Sequence, residues 1–494
     1  MKQVKRLVLR EGGEYTPLAL QAQLNAQESI GDEEPDDFFA TCFKELVDLK
    51  LSKASTVMNS RDGDAIRSAD VQDEPGFESE DVSDGLRYLT RQTRRGSLVV
   101  SHLVGAANLP CGVALEVLPK IEAHLDGDLK DRAAFKRMWE YATDLNLREH
   151  DQTAGVDDAP LPLHEWLVRR FLDQVDSLVA HGIRLHYVER EDNLSTVRGR
   201  LLVAQNMRAN AMAPQRFFCR FEEFSADRPE NRLIRSAVRR VMVRSTDPDN
   251  QRRAGQLNER LQEIPLSKDI GQDFSRWRDD RLMAHYRDIR SSCKWILNSR
   301  GAAPVAGEDA MFGRFVRMND VFERYVARWM QAKLIGSAYE LLDQNSGVGD
   351  SRRTEHLCHW DGKPRSMKPD ILIYSRANDA GCVAILDAKW KRTADKEDGS
   401  ARPSAGSDLY QMYAYAQHWL TGGAGTKFIA LVYPADRSNT ATDTFHFPSP
   451  NRIDGYALRF RLPSVGENGN WIEGLVADHG LEFLEKFDAN EAPH

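Results

Sequence analysis

The stretch KPDILIYSRANDAGCVAILDAKWKR, residues Lys368 to Arg392, decides how this chain is read. ILIY and CVAIL are apolar runs of strand length, and Asn378, Asp379 and Gly381 between them are turn formers, so the spacing predicts an antiparallel hairpin. Side chains two apart on a strand share a face, which puts Asp387 and Lys389 on one side and Ala388 and Trp390 on the other. Asp370 opens the first strand, at the same end of the hairpin. Two carboxylates and a lysine then converge. Such an end suits a hard divalent cation, because carboxylate oxygens match magnesium, which keeps its remaining positions for water and phosphate. The bland alternative is a surface charge pair at a strand end.

The flanking segments weigh against that alternative. Downstream, DLYQMYAYAQHWL predicts an amphipathic helix on which Gln411 and Tyr415, four apart, share a face, followed by the strand KFIALVY from Lys427 to Tyr433. Upstream, MNDVFERYVARWM predicts a helix with Phe322, Tyr325, Val326 and Trp329 in one apolar stripe and Glu323 at its edge. The order is helix, hairpin, helix, strand.

The P-D, spacer, D-x-K pattern resembles the PD-(D/E)xK nuclease superfamily, several branches of which carry Q-x-x-x-Y on the next helix and an extra glutamate on the preceding one. That resemblance implies a metal held by Asp370, Asp387 and the carbonyl of Ala388, with Lys389 acting on the attacking water or the developing charge. It also implies that Gln411 orients Lys389 or the DNA backbone and that Glu323 holds an outer water.

The 494 residues exceed one ordinary core and predict two or three domains. Hydrophobic residues make up 41% and charged residues 29%, and no apolar run approaches the roughly 18 residues a membrane span needs. The six cysteines form no CxxC, so a reducing cytoplasm fits better than a disulfide framework. His356, Cys358 and His359 lack a second ligand pair for zinc. The formal charge of −8 is unevenly spread: residues 61–84 hold nine acids against two arginines, which reads as a disordered acidic insertion near 56–86. By contrast, residues 231–300 hold sixteen Lys and Arg against nine acids, with Trp277, Tyr286 and Trp295 interleaved. That pattern fits either a phosphate-tracking surface or solvated helix faces.

Elsewhere RLVLREGGEYTPL predicts a strand and turn, DDFFATCFKELVDLKL a short helix, and Leu163 to Gly182 a longer one. IRLHYVERE and VRGRLLVAQN read as strands, and FFCRFEEFSADRPENRLIRSAVRRV as strand, turn and helix. The string V-G-x-x-x-L-P-x-G-x-x-L-E-V-L-P-K-I, Val104 to Ile121, together with D-R-P-E-N-R-L-I, Asp227 to Ile234, resembles McrC, the nuclease subunit of McrBC modification-dependent restriction systems.

The expected fold is α+β and multidomain. A β-rich N-terminal domain would span 1–160, a helical middle with strands 161–300, and a restriction-endonuclease-like PD-(D/E)xK core 301–494. The McrC resemblance implies a cytoplasmic, Mg²⁺-dependent DNA endonuclease in which Mn²⁺ can substitute. Its substrate would be modified double-stranded DNA, and its partner a separate AAA+ GTPase of the McrB type that it stimulates, with Arg198 and Arg200 as candidates. No G-x-x-x-x-G-K-[ST] occurs, so no nucleotide is expected on this chain itself. The rival readings are an adaptor that stimulates the GTPase without cutting, and a nuclease paired with an ATP-driven helicase.

Overall fold

The structure, a computed structural model, describes residues 5–26, 38–48, 50–52, 86–109, 111–121, 128–142, 161–278, 286–297, 313–344, 355–360, 363–376, 381–391, 406–420, 427–435, 443–447, 453–465 and 471–475. The acidic insertion and the side chains of His356, Cys358 and His359 lie outside them. The chain divides into two units, one built mainly from Pro162–Arg314 and the other from Lys5–Ala106, Leu115–Leu161 and Phe315–His494. The stretches expected as separate N-terminal and C-terminal domains are therefore grouped together. The physical reason is long-range packing: helix Asp128–Ala142 lies on helix Met318–Lys333, with Tyr141 edge-on to Tyr325 at 5.4 Å.

The larger unit is organised by a seven-stranded mixed sheet. Its order is Tyr339–Asp343, Ile371–Ser375, Cys382–Ala388, Phe428–Pro434, Ile453–Val465 and Asp443–Phe447, with Trp471–Leu475 also on Ile453–Val465. Ile371–Ser375 and Cys382–Ala388 are antiparallel, Ile371 opposite Leu386, as the hairpin reading expects. The next two pairings are parallel. A parallel connection needs a crossover, and helix Gly406–Trp419 supplies it. Strands covered on both faces read as continuous apolar runs, and every residue of CVAILDA is buried. On one face Met412, Tyr415 and Ala416 of the crossover helix pack against Ile385, Leu431 and Ala457. On the other, the rings of Phe322, Tyr325 and Trp329 meet Phe460 at 5.3–6.1 Å, so the predicted stripe is the buried stripe. A further sheet of Arg6–Arg10, Ala114–Leu118, Leu103–Asn108 and Gly313–Arg317 contains the L-E-V-L string.

The smaller unit packs helices Leu163–His181, Pro229–Arg244, Pro248–Arg260, Ile270–Ser275 and Arg287–Leu297 around one apolar core. Gly182, predicted as the stop of the first helix, takes φ +96°. An antiparallel sheet of Arg200–Leu201, Phe217–Ser225 and His186–Leu194 completes it. Here one expectation fails: in VRGRLLVAQN only Arg200–Leu201 is strand, and Val203–Ala209 is a helix. Asparagines hold it. Asn206 Oδ1 accepts from the Phe218 amide at 2.8 Å, and Asn210 Nδ2 donates to Asn206 at 2.7 Å and Asn193 at 2.9 Å. Those bonds depend on residues far along the chain.

Among the described residues, several arginines of the basic stretch are paired with acids on helix faces. Arg232 bridges Asp273 and Asp227, Arg252 pairs Asp249, Arg253 pairs Asp173 and Arg260 pairs Asp176. Trp277 and Tyr286 are buried in the core rather than offered to bases. The Trp295 side chain lies outside the described residues.

Candidate active site

Asp387 and Asp370 meet at the carboxyl end of the central strand. Because Ile371 stands opposite Leu386, the next residue of each strand, Asp370 and Asp387, falls side by side. Asp370 Oδ2 accepts from the Ala388 amide at 2.7 Å, and its Oδ1 accepts from Gln344 at 3.0 Å. Both aspartates are buried, Asp387 at 1% exposure and Asp370 at 8%.

Lys389 follows the last strand residue and is pinned by its amide, which donates to the Val432 carbonyl at 2.9 Å. Its ammonium lies 2.6 Å from Asp387 Oδ2 and donates to Gln411 Oε1 at 3.0 Å. The contact with Asp387 is a buried ion pair, with the carboxylate almost wholly shielded from solvent. Gln411 passes the chain on: its amide nitrogen donates to Tyr415 Oη at 2.8 Å, and that hydroxyl donates to the Lys368 carbonyl at 3.2 Å. The two residues predicted to share a helix face thus join the lysine to the backbone just before Pro369-Asp370.

The electrostatics are those of crowded acids. Burial, then the Asp387 and Glu323 charges, push the Asp370 carboxyl well above the ordinary carboxylate range. Burial raises Asp387 too, against the pull of Lys389. Glu323, half-buried on helix Met318–Lys333, is pushed up to about 8 by burial and by Asp320 and Asp387. Burial weakens the hold of Lys389 on its proton, but Asp387 outweighs it and keeps the ammonium above its usual range. Among the described residues no group of three or more His, Cys, Asp or Glu is arranged around one ion. Asp370 and Asp387 are therefore brought together, whereas Glu323 stands near them without joining a three-carboxylate cage.

Several neighbours are not signalled by the hairpin motif. Asp408, buried in the first turn of the crossover helix, pairs with Lys391 at 3.4 Å. Its position three residues before Gln411 is a helical spacing that places it on the same side. Tyr433 and Arg459 stand in register on the next two strands, the buried guanidinium 5.4 Å from the ring centre. Gln344 and Glu11 come from remote segments.

Residues 98–434 match the family described as "McrBC 5-methylcytosine restriction system component". No curated protein matches. Among solved structures, the chain resembles one from the refined half-complex of the tetradecameric assembly of Thermococcus gammatolerans McrB AAA+ hexamers with bound McrC. The TM-score is 0.62 at 20% identity, over 92% of this chain and 95% of that one. It is also similar, at TM-score 0.44 and 22% identity over 66% of this chain and 87% of the other, to a chain in the cryo-EM structure of the Thermococcus gammatolerans McrBC complex. The first likeness shows a shared fold across nearly the whole length. With more than half of its residues matched in one ordered block, the chain belongs to the McrBC 5-methylcytosine restriction system component family.

Proposed function

We propose that this chain is the DNA-cutting subunit of a McrBC-type system, a Mg²⁺-dependent endonuclease with a PD-(D/E)xK core that works with a separate McrB-type AAA+ GTPase on modified DNA. The observation that carries this reading is the meeting of Asp370 and Asp387 beside the Lys389–Gln411–Tyr415 chain, at the carboxyl end of parallel strands where α/β sheets bind ligands.

The donor set fits a hard cation. Asp370, Asp387 and the carbonyl of Ala388 would hold Mg²⁺, or Mn²⁺ in its place, and the crowding of two buried carboxylates side by side is what such an ion relieves. Two carboxylates and a carbonyl leave the other positions to water and phosphate. When bound, the ion supplies Lewis-acid neutralisation of charge at the scissile phosphate. Lys389, kept protonated by Asp387, donates to the attacking water or to a phosphate oxygen, and Gln411 fixes its direction. Glu323 would hold a water outside the two aspartates.

Partner action belongs to the smaller unit in this reading. Arg198 and Arg200 lie exposed beside the sheet, the Arg198 guanidinium 4.5 Å from the Phe221 ring centre, where they are available to a GTPase subunit. The similarly folded chain comes from an assembly of McrB hexamers with bound McrC.

The test is reconstitution of the full chain with its AAA+ partner, GTP, Mg²⁺ and methylated duplex DNA. Asp387→Ala and Lys389→Ala should abolish cleavage while leaving partner GTP hydrolysis near the wild-type rate. Cleavage at normal rate by either variant would refute the assignment, and wild-type protein that only stimulates GTP hydrolysis would point to an adaptor.

A further inference from the structure

Lys389 lies one residue beyond the end of its strand, at the last bond to the neighbouring strand. Its own amide is tied to Val432, and the following turn closes with the Lys391 amide donating to the Lys389 carbonyl at 2.9 Å. The remaining anchor is Trp390. Strand alternation sends this side chain to the face away from the aspartates, where its ring packs against Phe322 at 5.3 Å and its indole N–H donates to Glu11 Oε1 at 2.5 Å.

Glu11 is itself held hard. Its amide donates to the Leu118 carbonyl at 3.0 Å, and its Oε1 also accepts from the Lys120 amide at 3.0 Å. The side chain is almost wholly buried at 1% exposure, and Oε2 has no hydrogen-bond partner among the described residues. Burial accordingly raises its proton affinity. A buried, half-satisfied carboxyl is an expensive way to fill space, since an apolar residue of similar volume would cost less. It is intelligible if the indole bond is what matters. Glu11 lies outside the matched stretch 98–434, yet it bonds the residue next to the proposed catalytic lysine across 379 positions of sequence.

We propose that Glu11 is a positioning residue for DNA cleavage: it fixes the Trp390 indole and thereby the backbone that aims Lys389 at Asp387 and Gln411. This rests on the nuclease reading of the site. The first strand and its turn then serve as part of the rigid support of the chemistry.

The test uses the full-length chain with its AAA+ partner, GTP and Mg²⁺ on methylated duplex DNA, and reads kcat and KM for cleavage, partner GTP hydrolysis and thermal melting. Glu11→Ala should lower kcat by roughly tenfold to a hundredfold, the range for residues that orient a site's ligands, with KM and GTP hydrolysis within about twofold of wild type. Glu11→Gln, which keeps an acceptor oxygen, should restore most of the rate. Trp390→Phe removes the same bond from its other end and leaves the β-sheet side intact, so it stands in if Glu11→Ala melts early. The double variant should be no slower than the slower single one. Full kcat in Trp390→Phe, or single effects that multiply in the double variant, would overturn the proposal. If Glu11→Gln falls as far as Glu11→Ala while melting normally, the bond is not the cause and the proposal also falls. A wild-type chain that cuts no DNA would instead remove the nuclease reading on which it rests.

Discussion

Gln411 stands between the Lys389 ammonium, to which its oxygen is an acceptor, and the Tyr415 hydroxyl, to which its amide donates. Gln411→Ala would leave the lysine held by Asp387 alone, and cleavage kcat should drop about tenfold with little change in KM. Unchanged kcat would show that Asp387 suffices. Glu323 makes a second prediction. Its carboxyl sits at about 8 in the fold against an ordinary 4.5, so between those values the folded chain keeps a proton that the unfolded chain has released. Folding then takes up a proton, and rising pH weakens the folded state. The melting temperature of cation-free protein should fall between about pH 5 and pH 8, and Glu323→Gln should reduce that fall. A profile equally steep in the variant would mean that Asp370 and Asp387 carry the effect. At this scale the sequence was informative where spacing is local: Asp387 and Lys389 on one strand face, Gln411 and Tyr415 on one helix face. Gln344 and Glu11 were not visible, because no periodicity relates them to residues 26 and 379 positions away.

Elements formed where apolar periodicity was strong and misled where asparagine chemistry took over. The hairpin follows directly from two apolar runs flanking turn formers, and its crossover helix and the helix of Glu323 from i, i+4 spacing. Val203–Ala209 reads as strand because LLV is as apolar as a strand start, while the bonds of Asn206 and Asn210 that favour a helix there depend on Phe218 and Asn193. Just before it, Gly199 has φ +68°, and an added Cβ would lie 2.4 Å from the Arg220 carbonyl oxygen. Gly199→Ala should therefore destabilise the three-stranded sheet by about 2 kcal/mol, read as a lower denaturation midpoint with the site of the larger unit unaffected. An unchanged midpoint would mean that the turn relaxes freely.

Across the whole molecule, length and motif order suggest three successive domains, whereas the chain divides into two units whose membership is not sequential. The middle stretch stands as its own unit, while the first and last thirds share one, since Arg137 pairs with Glu473 at 3.4 Å, Tyr141 lies edge-on to Tyr325 at 5.4 Å, and Trp390 donates to Glu11 at 2.5 Å. Residues 301–494 expressed alone should accordingly lack stable tertiary structure, seen as rapid limited proteolysis. A protease-resistant fragment would show that the seven-stranded sheet suffices. The same grouping has a temporal side. On a ribosome, Leu161 emerges 154 residues before Phe315, an interval of roughly 10–30 s at ordinary elongation rates. During that wait the earliest-made strands expose apolar faces whose cover has not yet been synthesised, which makes the nascent chain a natural client for chaperones.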